Sequence, residues 1–138
     1  MKKFRTDHAL AIFAVAAGLC SGCGLKESSI PDTKAVVYNN RGMGYANDHN
    51  YEKAIEDYSK AIENNPKFAA AYLNRGDAYK NKSDYNKAIE DYSMAIAIDP
   101  KLAAAYKNRG AAYRKKGASV KAADDERICQ NLSQKKQR

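Results

Sequence analysis

Three arginines and three aspartates in this 138-residue chain stand at one fixed separation: Arg41 and Asp57, Arg75 and Asp91, Arg109 and Asp125, sixteen residues apart each time. A guanidinium and a carboxylate can meet through two parallel hydrogen bonds, and an arginine placed inside a packed structure needs such a partner. Directly before each arginine stands an asparagine: Asn40, Asn74 and Asn108. A primary amide donates and accepts at once, which suits it to a peptide backbone whatever side chains that peptide carries. The acidic neighbours Glu56-Asp57 and Glu90-Asp91 make no shared acid–base site, because adjacent residues on a helix point in different directions. A catalyst needs a nucleophile, base or metal gathered in one place. The two histidines, His8 and His49, are far apart in sequence, and there is no Cys/His cluster or glycine-rich phosphate loop. The chemistry on offer is recognition, with no enzymatic activity, cofactor, metal or small-molecule substrate expected.

These groups recur because the chain repeats. Residues 35–68 align with 69–102 at more than half of their positions, including the block KAIEDYS, and a third copy from Ala103 matches through Tyr113 before diverging. Each unit divides into two helical patterns, about Ala35–Asn47 and Tyr51–Asn64 in the first, with Asn50 and Asp84 placed as N-caps of the second helices. Pro66 and Pro100 close one unit and open the next, where a helix start leaves an N–H free anyway. All ten tyrosines fall in four phases of the unit, and Gly42, Gly76 and Gly110 allow helices to approach closely. One unit cannot bury its own apolar face, so about three must stack. In the third copy Ser119 and Glu126 replace the second-helix tyrosines, and ADDERICQNLSQKKQR is polar. That helix is expected to cap the stack.

The pattern resembles the tetratricopeptide repeat over about 100 of the 138 residues. The resemblance rests on Tyr38/Gly42/Tyr45, Tyr72/Gly76/Tyr79 and Tyr106/Gly110/Tyr113. Tyr51, Ala54, Tyr58, Ala61 and Pro66, and Tyr85, Ala88, Tyr92, Ala95 and Pro100, complete it. It implies an all-α superhelix of three helix-turn-helix units, 35–68, 69–102 and 103–134, in a domain spanning 33–134 with a basic tail at 135–138. It also implies a concave groove, lined by the first helix of each unit, that holds an extended peptide or a partner helix. The inward candidates are Asn39, Asn40, Met43 and Asn47, then Leu73, Asn74, Asp77 and Asn81, then Lys107, Asn108, Ala111 and Lys115. Asn40, Asn74 and Asn108 then form a ladder along the groove, or else link neighbouring helices. Lys107, Arg114 and Lys115 make the third unit's first helix basic, so a partner's acidic end is expected there.

Family members that hold acidic chaperone C-termini use a cationic two-carboxylate clamp. The matching positions here are Asn39, Met43, Asn74, Ala104 and Asn108, and only Asn74 fits. Arg41, Arg75 and Arg109 stand where the family commonly has leucine, between packed helices. Pairing each with its aspartate would tie first helix to second in every unit.

The flanking sequence bears on location. The formal net charge is +8, of which the first 22 residues contribute +2 and the spread-out remainder +6. No nucleic-acid motif accompanies it. MKKFRTDH is followed by ALAIFAVAAGLC, an apolar run that as a helix spans roughly 18 Å, short of the ~30 Å hydrocarbon core. A basic start, a short apolar run and small residues describe a secretory signal. Ser21-Gly22-Cys23 resembles the end of a bacterial lipoprotein signal, although Cys20 stands where leucine is usual. Residues 1–22 are then the signal, Cys23 the lipid carrier, and 23–32 a tether. Two or three acyl chains anchor stably, and Gly24 in place of aspartate favours the outer membrane. Cys129 would remain as a single thiol, so no internal disulfide forms. The expectation is an envelope lipoprotein that scaffolds another protein. A structural subunit acting through its ends or convex face, or a soluble periplasmic adaptor, are the alternatives.

Overall fold

Residues 33–136, described by a computed structural model, form six helices: α1 Thr33–Asn47, α2 Tyr51–Asn64, α3 Ala69–Asn81, α4 Tyr85–Ile98, α5 Ala103–Lys115 and α6 Ser119–Lys136. The expectations for the signal, Cys23 and the tether lie outside these residues. The starts of α2 and α4 follow local chemistry. Asn50 and Asp84 accept from the backbone N–H groups of Lys53 and Lys87 at 3.3 and 3.2 Å, satisfying donors that a helix start leaves open. Pro66 and Pro100 sit in the turns, two residues ahead of the caps Phe68 and Leu102, not at the first helical position. There the Asn65 and Asp99 side chains each accept a backbone N–H two residues on, at 3.0 Å. The last helix runs on to Lys136, beyond the expected boundary at 134.

The first helix of each unit stops at a left-handed residue: His49 with φ 58°, Ser83 with φ 63° and Gly117 with φ 76°. The next residue then bonds back across the final turn, as Asn50 does to the Tyr45 carbonyl at 2.8 Å. Only Gly117 is free of the Cβ penalty for this conformation.

Each helix packs on the next, and α1 also touches α3, as α3 touches α5, whereas the second helices do not touch one another. A stack closed more tightly on one side is concave on that side, so the first helices line the inner surface. The core lies between units as much as within them. Ala54 and Tyr58 of the first unit pack on Ala78 of the second, and Tyr72 and Ala95 pack on Ala105 of the third. Burying a large ring such as that of Tyr92, which is fully enclosed, contributes about 1.5–3 kcal/mol before entropy is counted. A Cβ built on Gly42 or Gly76 would stand 2.7 Å from the Tyr58 or Tyr92 ring. The glycine thus makes room for the tyrosine sixteen residues later.

The outer face of α6 ends the stack. Where α2 and α4 present Ile55/Ile89, Ser59/Ser93 and Ile62/Ile96 to the next unit, α6 carries Ala123, Arg127 and Gln130, all exposed. Among the described residues no helix is long and apolar enough to cross a membrane.

Candidate peptide-binding groove

The repeated arginine reaches its aspartate through both oxygens. Arg75 donates from Nε and Nη2 to Asp91 at 2.8 Å each, and Arg109 donates likewise to Asp125 at 2.8 and 2.7 Å. Arg41 meets Asp57 at 2.5 and 2.7 Å. All three aspartates are buried. The hydrogen bond to Asp91 and that to Asp125 raise the pKa of Arg75 and Arg109 further above the usual range, against the opposing effect of burial. The bond from Arg41 lowers that of Asp57.

Two of the arginines have a further partner that the sequence reading did not name. Ser59 accepts from Nη1 of Arg75, and Ser93 from Nη1 of Arg109, both at 3.0 Å. Each serine hydroxyl in turn donates to its own helix, to the carbonyl of Ile55 or Ile89. Arg75 and Arg109 therefore each join three helices: their own, the second helix of their unit, and the second helix of the unit before. The signal was present in the chain, since serine stands sixteen residues before Arg75 and Arg109. Each guanidinium also lies over a tyrosine one turn earlier, Tyr38, Tyr72 or Tyr106, at 5.3–5.8 Å, a cation–π distance.

The asparagines behave differently from one another. Asn74 donates from Nδ2 to Oδ1 of Asn39 at 2.9 Å, and Asn108 donates to Oδ1 of Asp77 at 2.8 Å. Both bonds run between first helices of successive units. Asn40 has no preceding unit to reach and is exposed. Linking helices is therefore part of what Asn74 and Asn108 do, and each keeps a second N–H and a carbonyl oxygen. Asn39, expected to face the groove, is instead 5% exposed. Its amide also donates towards the Met43 sulfur at 3.7 Å, so it serves packing.

Between α1 and α3 lies an open cleft of about 200 Å³, lined by Met43, Ala46, Asn47, Tyr58, Asn74, Asp77, Ala78 and Asn81. Met43, Ala46 and Ala78 give it apolar surface, and three amides, a phenol and a carboxylate line the rest. Oδ1 of Asp77 takes Tyr92 at 2.6 Å, Asn108 at 2.8 Å and Lys80 at 3.1 Å. Tyr58 is the counterpart of Tyr92 one unit earlier, but Met43 stands where Asp77 would receive its hydroxyl. Burial and then the Asp77 charge raise the Tyr58 pKa to about 12.

At the third unit Lys107 and Lys115 are exposed on α5. Arg114 is not a free cation there: it pairs with Glu126 of α6, the residue that replaced the unit's tyrosine. Both side chains are largely exposed, so the pair adds little stability.

Family models described as tetratricopeptide repeat match residues 35–68 and 57–90, and a TPR-repeat model matches 76–117. Among solved structures, the second TPR of Spaghetti (RPAP3) bound to the HSP90 peptide SRMEEVD is 30% identical. The match covers 72% of this chain and 93% of that one, with a TM-score of 0.71. The second TPR domain of human RPAP3 in complex with the HSP70 peptide SGPTIEEVD is also 30% identical over 75% and 86% of the two chains, with a TM-score of 0.72. MamA is 31% identical over 75% of this chain and 61% of its own, with a TM-score of 0.73. No curated protein matches the chain. With its period, its helix pairs and these matches in agreement, the chain belongs to the tetratricopeptide repeat family.

Proposed function

We propose that the chain is a protein-interaction scaffold that holds an extended peptide or partner helix against α1, α3 and α5. The observation that carries this reading is the cleft between α1 and α3, lined by Met43 and two alanines together with three amides. It continues into the spare amide groups of Asn74 and Asn108. Amides that still have a donor and an acceptor can bond a peptide backbone, and each such bond adds about 0.5–1.5 kcal/mol net. The similar RPAP3 domains are bound to chaperone peptides, which supports a peptide of another protein as the partner. The ligand differs, because Asn39, Met43, Asn74, Ala104 and Asn108 provide no cation for an acidic C-terminus. Exposed Lys107 and Lys115 favour a partner whose acidic side lies towards α5, and Asp77 favours a neutral or basic segment at the cleft.

The scaffold is further proposed to work in a bacterial envelope, anchored through Cys23, on the strength of Ser21-Gly22-Cys23 and the short apolar run before it. A photo-crosslinking residue at Asn81, with one at Met94 on the exposed side of α4 as control, tests the groove. Peptide adducts are expected at Asn81 alone, and adducts confined to Met94 would refute the assignment. Mass spectrometry of the mature N-terminus tests the anchor: an unmodified residue there ends that part of the proposal.

A further inference from the structure

Among the described residues the stack ends on the polar face of α6 at one side and on α1 at the other. In the inner units the outer face of the first helix is covered by the preceding second helix. Ala71 and Ala105 are fully buried, Tyr72 and Tyr106 are buried, and the side chains of Arg75 and Arg109 are 21% and 19% exposed. The same three phases on α1 are Val37, Tyr38 and Arg41. Val37 is 56% exposed and Arg41 51%, and Nη1 of Arg41 has no acceptor among the described residues. Its equivalents use that nitrogen to bond Ser59 and Ser93.

We propose that this face of α1 is a docking surface for an amphipathic helix of another protein. That helix presents a serine hydroxyl to Arg41, with aliphatic residues four before and three after it and a small residue two after it. The molecule itself supplies the template twice. Ile55, Ser59, Ala61 and Ile62 of α2 have this spacing and pack on α3, as Ile89, Ser93, Ala95 and Ile96 of α4 pack on α5. The small residue must stay small, because Val37 is larger than the alanine at its place in the inner units. The surface complements a hydroxyl and two aliphatic side chains, and it offers a guanidinium that two hydrogen bonds already orient.

A second copy of the chain does not fit. The patterned faces of α2 and α4 are already covered, and the one uncovered second helix is α6. Stacking α6 on α1 head to tail would set Arg127, in the serine phase, against Arg41 and Gln130 against an aliphatic site. Like charges in contact disfavour that assembly. Residues 24–32, GLKESSIPD, lack the spacing: three places after Ser29 stands an aspartate, and a proline interrupts.

The probe is a lactam-stapled peptide with the sequence of α2, residues 51–64, titrated into the full chain and followed by fluorescence anisotropy. Saturable one-to-one binding is expected. It should weaken at least about tenfold, or 1.4 kcal/mol, with Val37→Arg in the protein or Ser59→Lys in the peptide. The double variant Asn81→Ala/Lys107→Ala, in the groove, should leave it unchanged. Val37 is exposed, so its substitution tests the surface without testing the fold. No saturation up to about 1 mM overturns the proposal. Binding indifferent to Val37→Arg, or lost in the groove variant, overturns it equally. Sedimentation of the chain alone decides on self-association: a dimer abolished by Val37→Arg would make a second copy the occupant and end the proposal as stated.

Discussion

Asn74 gives a side-chain N–H to Asn39 across 2.9 Å, and the two residues sit thirty-five positions apart on the first helices of neighbouring units. The matching bond one step along runs from Asn108 to a carboxylate, Asp77. The same side chain thus meets an amide in one interface and a charge in the next. A bond to a charged group is stronger. Asn74→Ala should cost about 0.5–1.5 kcal/mol and Asn108→Ala about 1.5–3 kcal/mol, both measured by urea unfolding. Equal losses would show that Asp77 contributes no more than a neutral acceptor.

The arginine–aspartate pairs should form a graded series. Asp91→Asn and Asp125→Asn strand guanidiniums that are mostly buried. Each is expected to cost about 2–4 kcal/mol, between the ranges for exposed and fully buried pairs. Asp57→Asn should cost less, because Arg41 is half exposed and can turn to water. Exchanging the charges, Arg75→Asp with Asp91→Arg, should recover part of the loss of either single variant. A double variant as unstable as the sum of the singles would deny the coupling.

Glycines on the first helices of two units, Gly44 of α1 and Gly76 of α3, should respond in opposite directions. Gly44 has nothing within 4 Å of a built Cβ, so Gly44→Ala should stabilise by up to about 1 kcal/mol through helix propensity. At Gly76 the new methyl meets the enclosed Tyr92 ring at 2.7 Å. Tyr92 cannot swing aside without leaving Asp77, and overpacking costs about 1–3 kcal/mol. Thermal melts of the two variants should therefore bracket the unaltered protein. If Gly76→Ala melts higher, the ring has room that its contacts deny.

Tyrosine ionisation should set the alkaline limit. Burial, with Asp77 second, raises the Tyr58 pKa from 10.0 to about 12. Burial also raises that of Tyr92, together with its bond to Asp77. A group whose folded pKa lies above its unfolded value stabilises the fold fully below the unfolded value. That contribution is lost as pH climbs through the folded one. For Tyr58 the window is pH 10 to about 12, and Tyr58→Phe should flatten the fall of stability there. Phenolate absorbance alongside circular dichroism reads both events. Ionisation of all ten tyrosines at an ordinary pH with the helices intact would contradict it.

Much of this architecture could be read along the chain. The thirty-four-residue period, the glycine and tyrosine phases and the caps at Asn50 and Asp84 follow from local chemistry and from the need of each unit for a neighbour. The sixteen-residue spacing of arginine and aspartate spans a single helix pair, and a contact inside one repeated unit leaves its mark three times over. Contacts between units are less regular: the serine–arginine bonds keep one phase, but the asparagine bonds join different ones. Asn74 finds position 39, while Asn108 finds position 77. That choice depends on which neighbour offers an acceptor: Asn39 does, Met43 does so only weakly, and Asp77 does so best. Arg114 likewise turns to Glu126 only because the tyrosine of that phase is gone. Sequence by itself determined the unit, its helices and its internal ion pair, since repetition exposes whatever recurs. The tertiary structure decided which amides remain available in the groove and which end of the stack stays uncovered. Both depend on what the adjoining unit presents, and among the described residues the first and last helices have a neighbour on one side alone.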